Sequence, residues 1–360
     1  MSDAAPHIAV VGAAGFVGQE LLRQFAAEEI RVTAVARGMP DLVVDNDEHD
    51  VLLPSEATGR FDVVVNLAYP TAGAPYNYPD QNKAIIGSVN ALLRDGGHLV
   101  HASTLAVFGL ALDRPVRVGP VAKVRDEAYV EAKIEAERSL TVDSRRRRLS
   151  TDIVRFGNIW GRASGAWAMP IVHRLVTGRP IGIESGFGFS NTTDVANAAA
   201  YIRFLATTPA RGGASKVRYH HLAEFSGVRW GDWVTPLAEA LGVLPVIAPD
   251  SVVERPDTLR GELREGFSDF NLRRLGRELS KDRLTGSWER SILRRFPADT
   301  RDNIKGKAVF AREERLRRPD QTFLQIMSAS QEFVTSVDPD WTPPLDENRS
   351  LTGVLDWLAQ

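Results

Sequence analysis

The sequence predicts an α/β fold, a doubly wound parallel sheet followed by a smaller, mostly helical C-terminal region. Three observations carry this. Short aliphatic runs recur along the first half, as IAVV at 8–11, FDVVVNLA at 61–68 and TDIVRF at 151–156, each suited to a strand buried on both faces. Stretches with helical periodicity alternate with them. Between the first run and the first helical stretch stand Gly12, Gly15 and Gly18. Such a turn leaves N–H groups pointing outward at the positive end of a helix dipole, which suits a pyrophosphate. In a Rossmann-type unit Gly12 permits the turn, Gly15 lets the backbone approach phosphates, and Gly18 lets the helix pack on the strand.

The elements follow in order. Phe16, Val17, Leu21 and Leu22 begin the first helix, and RVTAVA at 31–36 is a second strand ending at Arg37. An acid at that strand end would bond a free ribose 2′-hydroxyl, whereas a cation tolerates a 2′-phosphate. Arg37 therefore favours NADP(H), with NAD(H) and a merely solvated arginine as alternatives. Residues 40–60 read as acidic and irregular, with a weak strand and Asp50 near the adenine. FDVVVNLA ends in Leu67 and Ala68, and the following YPTAG makes a cofactor-facing loop. A helix is expected over 82–94, stopped by Gly96 and Gly97, then a strand over 98–102 that delivers Ser103, Thr104 and Leu105 at its carboxyl end, where open sheets bind ligands.

A helix over 126–140 places Tyr129 and Lys133 four apart on one face, about 6 Å along the axis. The arginine run 145–148 reads as a solvated loop rather than a nucleic-acid patch. After the strand TDIVRF come a glycine-bounded loop containing Asn158, then helices over 169–176, 193–207 and 231–241 and a strand over 217–222. Helices over 321–334 and at the C-terminus complete the chain. This gives a dinucleotide-binding domain at 1–157 and a mainly substrate-binding region at 158–360. Residues 191–222 return to the sheet, and 250–320 form a charged insertion.

Composition narrows the function. The chain is 43% hydrophobic and 25% charged with a net charge of -2, an ordinary globular balance that gives no reason to expect nucleic acid as a partner. It has no cysteine, which excludes disulfides, thiolate catalysis and cysteine-ligated metals. No apolar run reaches the roughly 20 residues of a membrane span, and MSDAAPH lacks a signal-peptide core, so a cytoplasmic enzyme without membrane contact is the expectation. His220 and His221 are adjacent on a strand, where side chains alternate, so they cannot share a metal.

Taken together, GAAGFVG at 12–18, DVVVNLA at 62–68, ASTLAVFG at 102–109, YVEAK at 129–133, VRFGNIWG at 154–161, NTTDVA at 191–196 and the closing DWTPPLDENRSLTGVLDWL resemble the extended short-chain dehydrogenase/reductases. The likeness is to their NAD-dependent epimerase/dehydratase, or nucleotide-sugar, group. It covers most of the chain except 250–320. It implies Thr104, Tyr129 and Lys133 as the catalytic set, Phe156 near the nicotinamide, and Asn158 on the phosphates of a nucleotide-sugar substrate. A homodimer through the Tyr129 helix and its neighbour is implied by analogy. Two positions depart from the pattern. Phe108 stands where a tyrosine is usual, and the asparagine expected three residues before Gly87 is Ala84, with Asn82 nearby.

The resemblance also implies a chemistry. Tyr129 exchanges a proton with a substrate oxygen that Thr104 holds, while Lys133 bonds the nicotinamide ribose and, with an oxidised nicotinamide, pulls the phenol toward its working range. Leu105 and Ala106 occupy the places where dehydratases carry an Asp-Glu pair, which argues against dehydration. The expectation is a keto-sugar reductase using NADPH. The alternatives are a carbon-4 epimerase that retains NAD, a reductase of a non-sugar ketone, and a cofactor-binding protein without catalysis.

Overall fold

The computed structural model describes residues 6–35, 50–52, 59–69, 78–109, 118–121, 128–208, 216–253 and 321–359. In chain order the strands are β1 (Ile8–Val11), β2 (Val32–Val35), β3 (Asp50–Leu52), β4 (Phe61–Asn66), β5 (Leu93–Thr104), β6 (Ser150–Phe156), β7 (Asn158–Trp160), β8 (Pro180–Ile183), β9 (Thr192–Asp194), β10 (Val217–Leu222) and β11 (Val246–Ala248). The helices are α1 (Phe16–Ala27), α2 (Tyr78–Leu92), α3 (Ala128–Arg147), α4 (Ala168–Val176), α5 (Val195–Thr207), α6 (Trp230–Leu241), α7 (Gln321–Met327) and α8 (Glu347–Leu358).

Seven strands form one sheet in the order β10-β6-β5-β4-β1-β2-β3, with every neighbouring pair parallel. The order reverses between β1 and β4, which opens a crevice at their carboxyl ends, the place such sheets bind ligands. Both faces are covered, as the unbroken aliphatic strands require. On one face Val10, Val65 and Val154 pack with Leu21 and Phe25 of α1 and Tyr201 and Ile202 of α5. On the other, Ala9, Val64 and Leu99 pack with Ile86 and Val89 of α2 and Leu140 of α3. A separate core lies beyond the sheet, where α4, α6, α7 and α8 meet around tryptophans. Trp160 packs at a tilt against Trp233 and Trp167 against Trp230, each with ring centroids 4.8 Å apart.

Several expected bounds shift for identifiable reasons. β5 begins at Leu93 rather than 98, with an irregular register before His98. α3 continues through the arginines to Arg147, because Arg147 bonds the carbonyls of Asn90 and Leu93 and pairs with Asp95 at 2.8 Å. The helix expected over 321–334 stops at Met327. Beyond it the backbone is claimed by neighbours: Phe189 N–H donates to Ala329 O, Asn191 clamps Gln331 and Phe333, and Ser336 exchanges both backbone bonds with His221. The irregular reading of 40–60 holds a strand at 50–52, while its remainder up to 58, Arg37, most of the YPTAG loop and nearly all of 250–320 lie outside the described residues. No helix among the described residues is long and apolar enough to cross a membrane.

The second core joins the sheet through a pair of acids. Asp194 caps α5 by accepting from Ala196 N–H at 2.7 Å and bonds the Ser350 hydroxyl of α8. Glu224 accepts from Asp194 N–H and Asn197 Nδ2 at 2.8 and 2.9 Å. Burial pushes the Glu224 carboxyl up to about 7 despite these bonds, and Asp194 adds to the push. The folded value lies above the unfolded one, about 4.3, so the folded state is favoured at low pH and loses that advantage as pH rises from about 4 to 7. Glu224→Gln is expected to raise the melting temperature above wild type near pH 8 and leave it unchanged near pH 4. A thermal-shift series across pH checks this, and a gain independent of pH would refute it.

Candidate active site

The glycine turn has the geometry its spacing implies. Gly12 has φ +86°, and a Cβ there would lie 2.7 Å from Ala68 N. A Cβ on Gly18 would lie 2.5 Å from the carbonyls of Gly12 and Ala13. Both positions therefore require glycine, one for the turn beside β4 and one for the seating of α1. Gly15 N–H donates to Gly12 O at 3.0 Å and closes the turn. No side chain caps α1, and its first turn carries no acid, which leaves a backbone cradle suited to an anion. Phe16 is exposed at the helix start, while Val17 packs on the sheet core. Across the crevice, Leu67 N–H extends the ladder to Val11 O at 2.8 Å and Ala68 N–H donates to Asn66 Oδ1 at 3.1 Å.

Thr104 ends β5 and caps a short 3-10 turn at Leu105–Phe108, accepting from Ala106 N–H at 3.2 Å. Its hydroxyl faces the Tyr129 phenol and acts to lower the pKa of that phenol. Burial pushes the phenol up from its ordinary value and Thr104 opposes that, so in the chain by itself Tyr129 is held protonated. Lys133, one helical turn on, is buried and donates to Ala102 O at 3.0 Å. Burial lowers its ammonium to about 8, with the carboxylate of Glu137 acting in the opposite sense. Burial and Thr104 set the direction of the phenol's shift, and the downward pull expected from Lys133 does not enter it.

Asn158 and Phe156 line a cleft beside Thr104. Its lining includes Thr104, Leu105, Phe156, Asn158, Phe189, Asn191, Gln331 and Phe333. Asn158 Nδ2 donates to Ser190 O at 2.7 Å, which fixes its amide. The Phe156 ring is buried in the sheet core, and Thr104 is its partner in the β5–β6 register. Phe108, where the hydroxyl is missing, packs on Phe333 and on the Arg155 guanidinium at 5.0 Å. Asn82 is buried and donates to Ala132 O at 2.8 Å, tying α2 to α3. His220 and His221 bond different partners, Asp152 and Arg155. Among the described residues no group of three or more His, Cys, Asp or Glu is placed to hold a metal.

Sequence reasoning missed several residues. Tyr69 packs edge-on against Tyr129 with centroids 4.9 Å apart and lies 5.1 Å from Lys133 Nζ. His101 is wholly buried, bonded to Asn66 at 3.1 Å, and held neutral by burial and by Lys133, which push it down to about 3. Glu137 and Arg155 form a buried ion pair behind Thr104, at 2.7 and 2.9 Å. One signal was available: a charge inside TDIVRF, in mid-sheet, demands a buried partner.

Residues 8–186, about half of the chain, match the family model described as the NAD dependent epimerase/dehydratase family. No curated protein matches the chain. Similar solved structures include MoeE5 in complex with UDP-glucose and NAD, at 20% identity, TM-score 0.53, covering 68% of this chain and 84% of that one. WbmH of Bordetella bronchiseptica in complex with NAD+ is 17% identical, TM-score 0.55, covering 70% and 86%. The UDP-glucose 4-epimerase of Thermus thermophilus in complex with NAD is 17% identical, TM-score 0.50, covering 70% and 88%. At these identities the likeness is one of fold. The preference for NADP(H) is nonetheless corrected to NAD(H), because these three structures hold NAD. A cation after β2 accommodates a 2′-phosphate without excluding a 2′-hydroxyl, so Arg37 alone could not decide it.

Proposed function

Because the chain belongs to the NAD dependent epimerase/dehydratase family over residues 8–186, we propose that it is an NAD-dependent epimerase of a nucleotide sugar. The observation that carries this reading is the juxtaposition of Thr104 and Tyr129, with Lys133 one turn away, at the carboxyl end of β5 beside the crevice that the glycine turn borders. The keto-sugar reductase reading leaned on NADPH and loses that support. An epimerase that retains NAD remains, in line with the UDP-glucose 4-epimerase among the similar folds. The nucleotide-sugar substrate is likewise taken from those relatives.

The residues present fit the dinucleotide. The turn at Gly12 and Gly15 would hold its pyrophosphate, with Gly18 seating the helix behind it, and Lys133 would hold its nicotinamide end. Bound NAD supplies the hydride acceptor and donor. Thr104 and Tyr129 would grip one sugar oxygen. As its phenolate, Tyr129 would accept the proton of that oxygen as the carbonyl forms and return it as the carbonyl is reduced, and the Lys133 ammonium favours the phenolate with which the cycle starts and ends. Leu105, buried with Ala223 and Phe333, offers no acid for removing water.

The test starts from purified protein. Denaturation should release stoichiometric NAD, and incubation with UDP-glucose or its N-acetyl counterpart should yield the carbon-4 epimer by NMR without net NADH. Protein that neither carries nor binds NAD, or that accumulates NADH with every substrate turned over, would refute the epimerase.

A further inference from the structure

We propose that Glu137 is a positioning residue of this site, a buried carboxylate that Arg155 and Ser103 fix beside Lys133 so that Lys133 keeps its ammonium charge. The proposal rests on the role given to Lys133 above. Tyr129, Lys133 and Glu137 follow at four-residue intervals and so share one face of α3. Glu137 accepts three hydrogen bonds: from Arg155 Nε at 2.9 Å, Arg155 Nη2 at 2.7 Å and Ser103 Oγ at 2.6 Å. Ser103 immediately precedes Thr104 and stands opposite Arg155 in the β5–β6 ladder. One carboxylate therefore ties the helix carrying Tyr129 and Lys133 to the strand end carrying Thr104.

The surroundings of Lys133 make that carboxylate matter. β5 presents the Ala102 carbonyl and a neutral His101, the segment after β4 presents Tyr69, and α3 itself presents Tyr129. α2 contributes the uncharged amide of Asn82. β6 contributes Arg155, engaged with Glu137. Among the described residues Glu137 is the anion that favours a protonated Lys133 against burial. For stability alone a buried ion pair is often no better than apolar residues of like volume. Its electrostatic effect on Lys133 gives it a second role.

The experiment reads Lys133 directly, by NMR titration of protein labelled with 13C at lysine Cε, the resonance assigned by its loss in Lys133→Gln. Glu137→Gln keeps the shape, removes the charge and leaves Arg155 positive, and both changes disfavour the ammonium. The Lys133 midpoint is expected to fall by about one unit, and the alkaline limb of kcat/KM should move to lower pH with it. Glu137→Asp should largely restore both. If the single variant does not fold, Glu137→Gln combined with Arg155→Met removes the stranded cation, and the midpoint must still fall. An unchanged Lys133 midpoint in a folded variant, with activity lost evenly across pH, would overturn the proposal. A lowered midpoint in protein that epimerises no nucleotide sugar would support it while sinking the functional reading.

Discussion

Replacing Tyr129 with phenylalanine is expected to lower turnover by about 10²–10⁴-fold, the usual worth of a positioned general acid-base group, with the affinity for NAD unchanged. The ring itself should stay in place, because its edge-on contact with Tyr69 at 4.9 Å needs no hydroxyl. What disappears is the oxygen that can take a proton from the substrate and return it, together with its interaction with Thr104. The phenol is pushed up by burial, so the resting wild-type site holds a protonated Tyr129, and its rate should climb with pH until Lys133, at about 8, begins to lose its charge. Steady-state kinetics beside NAD calorimetry separate the two effects. Turnover near that of wild type would remove Tyr129 from the mechanism, and a matching loss of NAD affinity would recast it as a binding residue.

What the sequence discloses about this fold follows what periodicity and glycine spacing can encode. β1, β4 and β6 are apolar enough to be read as buried strands, and Gly12 and Gly18 are fixed by backbone contacts that a three-residue spacing already implies. Tyr129 and Lys133 are legible because one helical turn separates them. Glu137 lies one turn further along the same face, yet in DEAYVEAKIEAERSL it looks like any solvated acid. Its burial depends on Arg155, which is brought opposite by strand order rather than by local pattern. The end of α7 is hidden for a similar reason. Residues 328–334 have no local feature that forbids a helix, but Asn191 and His221 capture the backbone around them. Tyr69 joins the site because the chain leaves β4 directly over α3, a path no spacing shows. The choice between NAD and NADP was misread for a simpler cause, since one cation at a strand end is compatible with either ribose.

Asp152 illustrates the same blindness and gives the largest expected effect on stability. Its carboxylate is fully buried in β6. It receives His98 Nε2 at 2.7 Å, His220 Nε2 at 2.8 Å, and both Arg218 Nε and Nη2 at 2.6 Å. The bonding continues outward, since His220 Nδ1 lies 2.7 Å from the Tyr201 hydroxyl, which accepts from Asp338 N–H at 2.9 Å. One anion thus satisfies donors from β5, β10 and, through His220, α5. Asp152→Ala strands a guanidinium and two imidazoles, and is expected to destabilise the fold by about 3–5 kcal/mol, the cost of breaking a buried pair. Burial alone would raise this carboxyl, but the bonds from His220, His98 and Arg218 together hold it well below the usual carboxylate range. A depressed folded value means the stabilisation is complete above the unfolded value, about 3.9, and is lost as pH falls through the folded one. The difference between wild type and Asp152→Ala in urea denaturation should therefore stay constant from neutral pH down to about pH 4 and shrink in stronger acid. Asp152 lies four residues before Phe156, about 13 Å along the strand from the cleft, so turnover per folded molecule should not change. A variant as stable as wild type at neutral pH would show that the cluster adds nothing net to the fold, whereas a catalytic defect in fully folded protein would tie it to the site.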